Sequence, residues 1–185
     1  MKRLIIAFGH RRERGKNTAS LTTKQFLKDR YVREDSFARS LKETCKAVFS
    51  FSEEQVNGKL KGVTDEYWGF TPRWALQTVG TELFRQHIDP AIWAKSLVRR
   101  IMLHPEHHFL ITDLRFTNEA EAIKACGGFV VRCDRDIPFD PEIDSHQSEI
   151  DLLNYTNWDF IIDNNGSFED LSKQIKTMIK TMLYL

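Results

Sequence analysis

The chain has 185 residues, 41% hydrophobic and 29% charged, enough for one sizeable α/β domain and too few for two ordinary ones. Its 27 Lys and Arg against 26 Asp and Glu leave a net charge of +1, which weighs against a dedicated nucleic-acid binder, and no apolar run reaches membrane-spanning length. Cys45, Cys126 and Cys133 are odd in number and lack metal-type spacing, so they read as reduced thiols of a cytosolic protein, and the stretch between Arg3 and Gly9 is too short for a signal-peptide core.

In chain order, the apolar run Leu4 to Phe8 predicts a buried strand. Gly9 to Thr18, GHRRERGKNT, follows it, and a helix is predicted over Lys16 to Lys28 with Leu21 and the Phe26-Leu27 pair on its buried side. Strand, glycine loop and helix in this order form the setting of a phosphate-binding loop. Gly15 lets the backbone approach an anion, the amides that open the helix point at phosphates, and Lys16 brings a mobile full charge. The spacing departs from the usual pattern: Gly9 and Gly15 enclose five residues rather than four, and Asn17 precedes Thr18 where Ser or Thr would follow the lysine directly. Asn17 is a poor direct magnesium ligand. Magnesium is therefore expected mostly through water and nucleotide oxygens, with Asp113 or Asn17 as the residues at hand.

Tyr31 to Phe37 predicts a second strand. Ala38 to Phe49 is helical, with Leu41, Cys45, Val48 and Phe49 at helix spacing, and Ser52 to Gly69 predicts a short helix and a mobile loop. Thr71-Pro72 supplies an N-cap and a first-turn proline for a helix to about His87, and Asp89-Pro90 repeats that signal for a helix to about Leu103. His107 to Thr112 predicts a third strand, ending at Asp113. Thr117 to Ala125 is helical and Gly127-Gly128 stops it. Phe129 to Arg132 and Trp158 to Ile162 predict the fourth and fifth strands, on either side of an irregular stretch, Ile137 to Asn157. Asn165-Gly166 turns the chain, and Ser167 caps the last helix with Asp170 placed for a capping box.

Five buried strands separated by helices predict a mainly parallel five-stranded sheet with helices on both faces. In such sheets ligands lie beyond the carboxyl ends of the strands, so the loops after Phe8, Phe37, Thr112, Arg132 and Ile162 are expected to meet at one site. They bring Arg11, Arg12, Arg14 and Lys16; Asp35, Ser36 and Lys42; Asp113 and Arg115; Arg132, Asp134 and Arg135; and Asp163, Asn164 and Asn165. Singly, each of these is a solvated charge or a cap. Together they suit a phosphoryl donor and a phosphorylated acceptor, whose chemistry rests on positioning and charge stabilisation.

At this point the residues carry a resemblance. The chain resembles the deoxynucleoside monophosphate kinases of tailed phages and their bacterial relatives, a branch of the P-loop nucleotide kinases, over nearly its whole length. The likeness rests on GKNT in the loop, SFARSLK at Ser36 to Lys42, LQTVGTELFR at Leu76 to Arg85 and AIWAKSL at Ala91 to Leu97. TDLRFTNEAEAI at Thr112 to Ile123, DSHQSE at Asp144 to Glu149 and IIDNNGSFEDL at Ile161 to Leu171 complete it.

The resemblance implies a three-layer P-loop kinase fold in one domain over 1–185, with a helical acceptor-binding insertion at about 38–104 and a lid-like region at about 133–157. It implies transfer of the ATP γ-phosphoryl group to a deoxynucleoside monophosphate, with magnesium. Gly15, Lys16 and Thr18 would hold the donor phosphates, with Arg12, Arg14 and Asn17 in the same loop. Arg132 and Arg135 would close over the transferring phosphate, and Asn164 and Asn165 would lie near the donor adenine. Phe37 and Lys42 would lie beside the acceptor, and Gln77, Thr81 and Arg85, four apart on one helix, would point at its base or phosphate. Trp93 would pack beside that base or in the core. Arg115 would clamp the acceptor phosphate, Glu119 would orient Arg115, and Asp113 would act on a magnesium-bound water or on Arg115, with Asp35 as a weaker choice. No general base is needed, because the attacking phosphate oxygen is already ionised.

The implied partners are small nucleotides, with neither membrane nor nucleic acid. The setting is the cytoplasm, the host's if the gene is viral. The oligomeric state is left open, a homodimer included. His146 and Glu149 carry no assigned role. His104, His107 and His108 in HPEHH read as a polar turn before a strand rather than a metal site. Two other functions stay open: a P-loop kinase with another acceptor such as dephospho-coenzyme A, and a non-catalytic nucleic-acid-binding module using the arginine-rich loop.

Overall fold

The computed structural model describes residues 3–27, 31–138 and 147–184. The chain forms two compact units, Met1–Ser36 with Val98–Leu185, and Phe37–Leu97.

The first unit holds the sheet. Its strands are β1 (Ile5–Gly9), β2 (Val32–Asp35), β3 (His108–Leu114), β4 (Phe129–Asp134) and β5 (Phe160–Asp163), in the order β2-β3-β1-β4-β5. Every neighbouring pair is parallel. Alternation sends side chains of β1 to opposite faces. Leu4, Ile6 and Phe8 join Leu110, Val131, Cys133 and Ile162 beneath helices α1 (Lys16–Phe26) and α8 (Phe168–Tyr184), which contribute Ala19, Leu171, Ile175 and Met178. On the other face Ile5 lies under α6 (Thr117–Ala125), where a Cβ at Gly128 would meet Ile5 and Ile123 at 3.0 and 2.7 Å. The three-layer α/β architecture agrees with the sequence reading.

Helix α1 differs from that reading. Its buried side is Lys16, Ala19, Ser20, Thr22 and Thr23, while Leu21 and Phe26 are exposed and Leu27 alone of the expected trio is buried. Lys16 must face the loop that precedes it, and this fixes the helix rotation. The face then turned inward is small and hydroxylated. The hydroxyls of Thr22 and Thr23 satisfy themselves on the carbonyls of Thr18 and Ala19, at 2.9 and 2.8 Å. Lys28, the expected end of this helix, lies outside the described residues. The last helix has the expected cap, with Ser167 and Asp170 exchanging hydrogen bonds.

The second unit is helical: α2 (Arg39–Phe49), α3 (Glu53–Val56), a 3-10 turn (Lys59–Gly62) and α4 (Pro72–Gln77), with the beginning of α5 (Ile92–Met102). Cys45, Phe51, Val56, Ala75, Leu76 and Val79 form its core, and Val48 faces solvent instead of joining them. The 52–69 stretch is ordered by side chains: Asp65 accepts from the amides of Tyr67 and Trp68 and from Gln55, and Trp68 and Phe70 pack on Phe49.

Thr71 caps α4 by accepting from the Trp74 amide. The helix then widens into a π-helical segment, Thr78–Arg85. At its centre Gly80 is buried. A Cβ there would lie 2.7 Å from Leu41 of α2, and its carbonyl accepts from Trp93 Nε1 at 3.0 Å. Such insertions are frequent at functional sites.

Candidate active site

Strand β1 lies between β3 and β4, so the crossover from β1 leads to one side of the sheet and that from β4 to the other, which opens a crevice beyond the carboxyl end of β1. Gly9 closes that end in register with Leu114 on one side and Arg132 on the other. A Cβ at Gly9 would meet Leu114 and Trp158 at 2.8 and 3.0 Å, so the strand ends pack closely there. The loop from His10 to Gly15 bends through three left-handed residues, His10 (φ 90°), Glu13 (φ 58°) and Gly15 (φ 93°). Two of the three are not glycine, which stores local strain of a kind found at ligand clamps. Gly15 then opens α1, whose first amides have no intrahelical acceptor.

Lys16 is buried, and its ammonium donates to the carbonyls of His10 (3.0 Å) and Arg11, curling back over its own loop. Burial, and then the nearby Arg115 guanidinium, push its pKa down from 10.5 to about 8, while Glu149 and Asp113 pull it upward. Two cations thus share a poorly solvated place with only partial neutralisation, which is the electrostatic condition of an anion site. Cys133, behind Lys16, is pushed up to about 12 by burial and remains a thiol.

His10 is buried with Nδ1 3.0 Å from Asp134 Oδ1, outside hydrogen-bonding direction. Burial, with Arg132, Arg14 and Lys16 adding to it, pushes its pKa down to about 4, so the ring is neutral at pH 7. Arg132, expected over the phosphate, donates Nε to Asp134 at 2.8 Å. Arg135 is exposed one residue past β4. Arg12 and Arg14 are half-buried in the loop, and Arg14 reaches the Ile137 carbonyl at 3.5 Å. Asn17 and Thr18 are exposed on the first turn of α1.

Asn164 buttresses the loop from the end of β5. Its Nδ2 donates to the Arg14 carbonyl at 3.3 Å and lies 2.1 Å from where a Cβ at Gly15 would be, so only glycine fits. Asn165 Oδ1 accepts from the Asp136 amide at 2.7 Å. Asp113 falls within β3 rather than after it, one residue before the strand's end, and is half-buried.

Three of the expected site residues are engaged within the fold. Glu119 is buried, and its Oε2 accepts from the amides of Arg115 (3.0 Å) and Phe116 (3.2 Å) at the start of α6. It fixes the main chain of Arg115. Asp35 is engaged by Arg100 through Nε (2.9 Å) and NH2 (3.0 Å), a bidentate pair that pins the end of β2 and removes it as a candidate for magnesium-bound water. Trp93 is 5% exposed, bonded to Gly80 and tilted against Phe84, which answers its two readings in favour of the core of its own unit. In that unit Phe37 is buried, Lys42 and Arg85 are half-buried, and Gln77 and Thr81 are exposed. The π-helical turn changes the angular spacing of 77, 81 and 85 from that of a plain α-helix.

Glu149, to which sequence reasoning gave no role, is buried on α7 (Gln147–Ile150). Its Oε2 accepts from the Arg12 amide at 2.7 Å and its Oε1 pairs with Arg115 NH1. The only sequence signal was its place in DSHQSE. His146 lies outside the described residues, as does 139–146 of the expected lid.

His104, Glu106 and His107 bring one ligand atom each within 4.8 Å at the amino end of β3, on a turn closed by the His107 amide and the His104 carbonyl. His108 is a strand-end anchor: its Nδ1 accepts from the Leu4 amide at 2.8 Å. No other group of three such ligands forms among the described residues. Asp113 lies close enough to Lys16 to raise its pKa, and a single carboxylate beside a phosphate site suits magnesium, which keeps several waters and takes phosphate oxygens. No helix is long and apolar enough to cross a membrane, among the described residues.

Strand, strained glycine loop, helix and buried lysine at the switch of a parallel sheet define a P-loop phosphotransferase fold. Two solved kinases share it: the APS kinase of Mycobacterium tuberculosis (TM-score 0.50, 13% identity, 100% of both chains) and the shikimate kinase of Acinetobacter baumannii (TM-score 0.51, 11% identity, 99% of this chain and 94% of that one). The chain belongs to the deoxynucleotide monophosphate kinase family, whose model matches residues 9–175. A protein of Acanthamoeba polyphaga mimivirus that carries the name of this kinase is 35% identical over 87% of this chain and 90% of its own. The deoxynucleotide monophosphate kinase of Enterobacteria phage T4 is 27% identical over 76% of this chain and 62% of its own. The activity of the family is ATP-dependent phosphoryl transfer to a deoxynucleoside monophosphate.

Proposed function

We propose that the phosphate loop and its neighbours divide the reaction as follows. The amides of the loop and of the first turn of α1 hold the ATP phosphates, and Lys16 leaves the carbonyls of His10 and Arg11 to follow the transferring group. Arg115, main chain fixed by Glu119, takes the acceptor phosphate in its guanidinium fork. Arg12, Arg14, Arg132 and Arg135 supply further positive charge, and Asn164 and Asn165 border the donor site. Phe37, Lys42 and Gln77, Thr81 and Arg85 are the residues that the family resemblance assigns to the acceptor nucleoside. Magnesium, when bound, would neutralise charge on the donor oxygens, held by Thr18, Asn17 or Asp113 through water. The three free thiols suit a reducing compartment such as the cytoplasm.

The observation that carries this reading is the proximity of Lys16 and Arg115. Arg115 stands close enough to lower the proton affinity of Lys16, and a dianion that enters between the two cations relieves that repulsion. A coupled assay of ATP consumption over a panel of deoxynucleoside monophosphates, with dephospho-coenzyme A as control, tests it. Turnover confined to one or more of the monophosphates is expected. Turnover with dephospho-coenzyme A alone refutes it.

A further inference from the structure

The geometry points to Glu149 as a positioning residue that holds Arg115 and the phosphate loop in one fixed relation for transfer; this rests on the functional reading above. The side chain of Glu149 is 7% exposed and that of Arg115 is 24% exposed. One carboxylate therefore meets two donors on different elements, the Arg12 amide in the loop after β1 and the Arg115 guanidinium after β3. Both bonds are charge-assisted. Glu119 fixes the backbone of Arg115, and Glu149 fixes its head group. The same carboxylate lies close enough to Lys16 to offset its repulsion from Arg115. Without it, a long flexible cation beside a buried ammonium would swing toward solvent, and the acceptor phosphate would meet a disordered fork.

Glutamine at 149 provides a sharp probe. Its amide has one acceptor oxygen and one donor group. It can serve Arg12 or Arg115 but not both, and it turns a donor against the other. The test is steady-state kinetics of the full chain with magnesium-ATP and its best deoxynucleoside monophosphate, for wild type, Glu149→Gln, Arg115→Ala and the double variant. Thermal midpoints are recorded in parallel.

Glu149→Gln is expected to lower kcat/KM for the monophosphate by about thirtyfold, while the KM for ATP changes by less than about threefold. In the Arg115→Ala background the amide can serve Arg12 alone, so the second substitution should cost less than about threefold more. A residue that merely supports the fold would instead lower the thermal midpoint, and its losses would multiply with those of Arg115→Ala. Multiplying losses, or a Glu149→Gln enzyme with wild-type kinetics, overturn the assignment. A wild-type protein inactive on every monophosphate overturns the functional reading itself, a result separate from either of these.

Discussion

Replacing Lys16 with methionine should separate activity from stability. Lys16 is 7% exposed and its pKa is pushed down from 10.5 to about 8 by burial and by Arg115. A depression of that size amounts to about 3 kcal/mol of destabilisation from carrying the charge in the folded protein at neutral pH. Methionine keeps the length and volume of the stem and removes the charge. It also forfeits the bonds to His10 and Arg11, together about 2 to 3 kcal/mol, though both carbonyls can turn to water. The variant should therefore match wild-type stability at pH 7 or exceed it by about 1 kcal/mol.

The pH dependence carries the sign. Between pH 8 and 10.5 the unfolded chain keeps a proton that the folded chain has released, so wild-type stability gains from this group as pH rises through that window. The variant lacks that gain. Turnover should fall by about a thousandfold or more, because the lysine acts on charge that grows during transfer. Urea unfolding of both proteins at pH 7 and pH 10, beside a coupled ATP assay, measures all three quantities. A methionine variant that is 2 kcal/mol or more less stable at pH 7, or that keeps a tenth of wild-type turnover, would refute the account of Lys16 as a destabilised catalytic cation.

Three further outcomes are expected. Arg115→Ala should raise the KM for the monophosphate by about tenfold or more and leave that for ATP within about threefold; the reverse pattern in measured KM values would exchange the two pockets. Gln77→Ala should alter the ranking of acceptor bases in the monophosphate panel, because a site built to bond one base edge rejects a base that lacks it, whereas Arg85→Ala should weaken all acceptors alike. An unchanged ranking removes Gln77 as the specificity element. Arg100→Leu leaves the Asp35 carboxylate, whose side chain is 3% exposed, without its bidentate partner and should cost about 3 kcal/mol in urea unfolding. A loss below about 1 kcal/mol would mean that water replaces the guanidinium.

The elements that local rules govern were legible in the chain. Helix starts at Thr71-Pro72 and Ser167, the glycine loop before Lys16 and the apolar strands β1 and β3 follow from capping, turn chemistry and periodicity, which act between residues a few positions apart, whereas β2, Val-Arg-Glu-Asp, is mostly unburied. The rotation of α1 was not legible. Its apolar residues Leu21 and Phe26 suggested one buried side, but the need to aim Lys16 at the loop selected another. The π-helical turn at Thr78–Arg85 was hidden for a similar reason: it accompanies the packing of Gly80 on Leu41 and the bond to Trp93 from another helix.

By itself the sequence determined which loops end the strands and hence which charges could share a site. Which of those charges are available was decided only by the tertiary structure. Asp35 is taken by Arg100, 65 residues away, and the Arg12 amide by Glu149, 137 residues away. No period or motif links such positions. The parallel sheet brings them together because each crossover returns the chain to the same edge of the crevice. Burial there makes every unpaired charge costly, so partners are chosen by proximity in the folded chain and not by spacing along it.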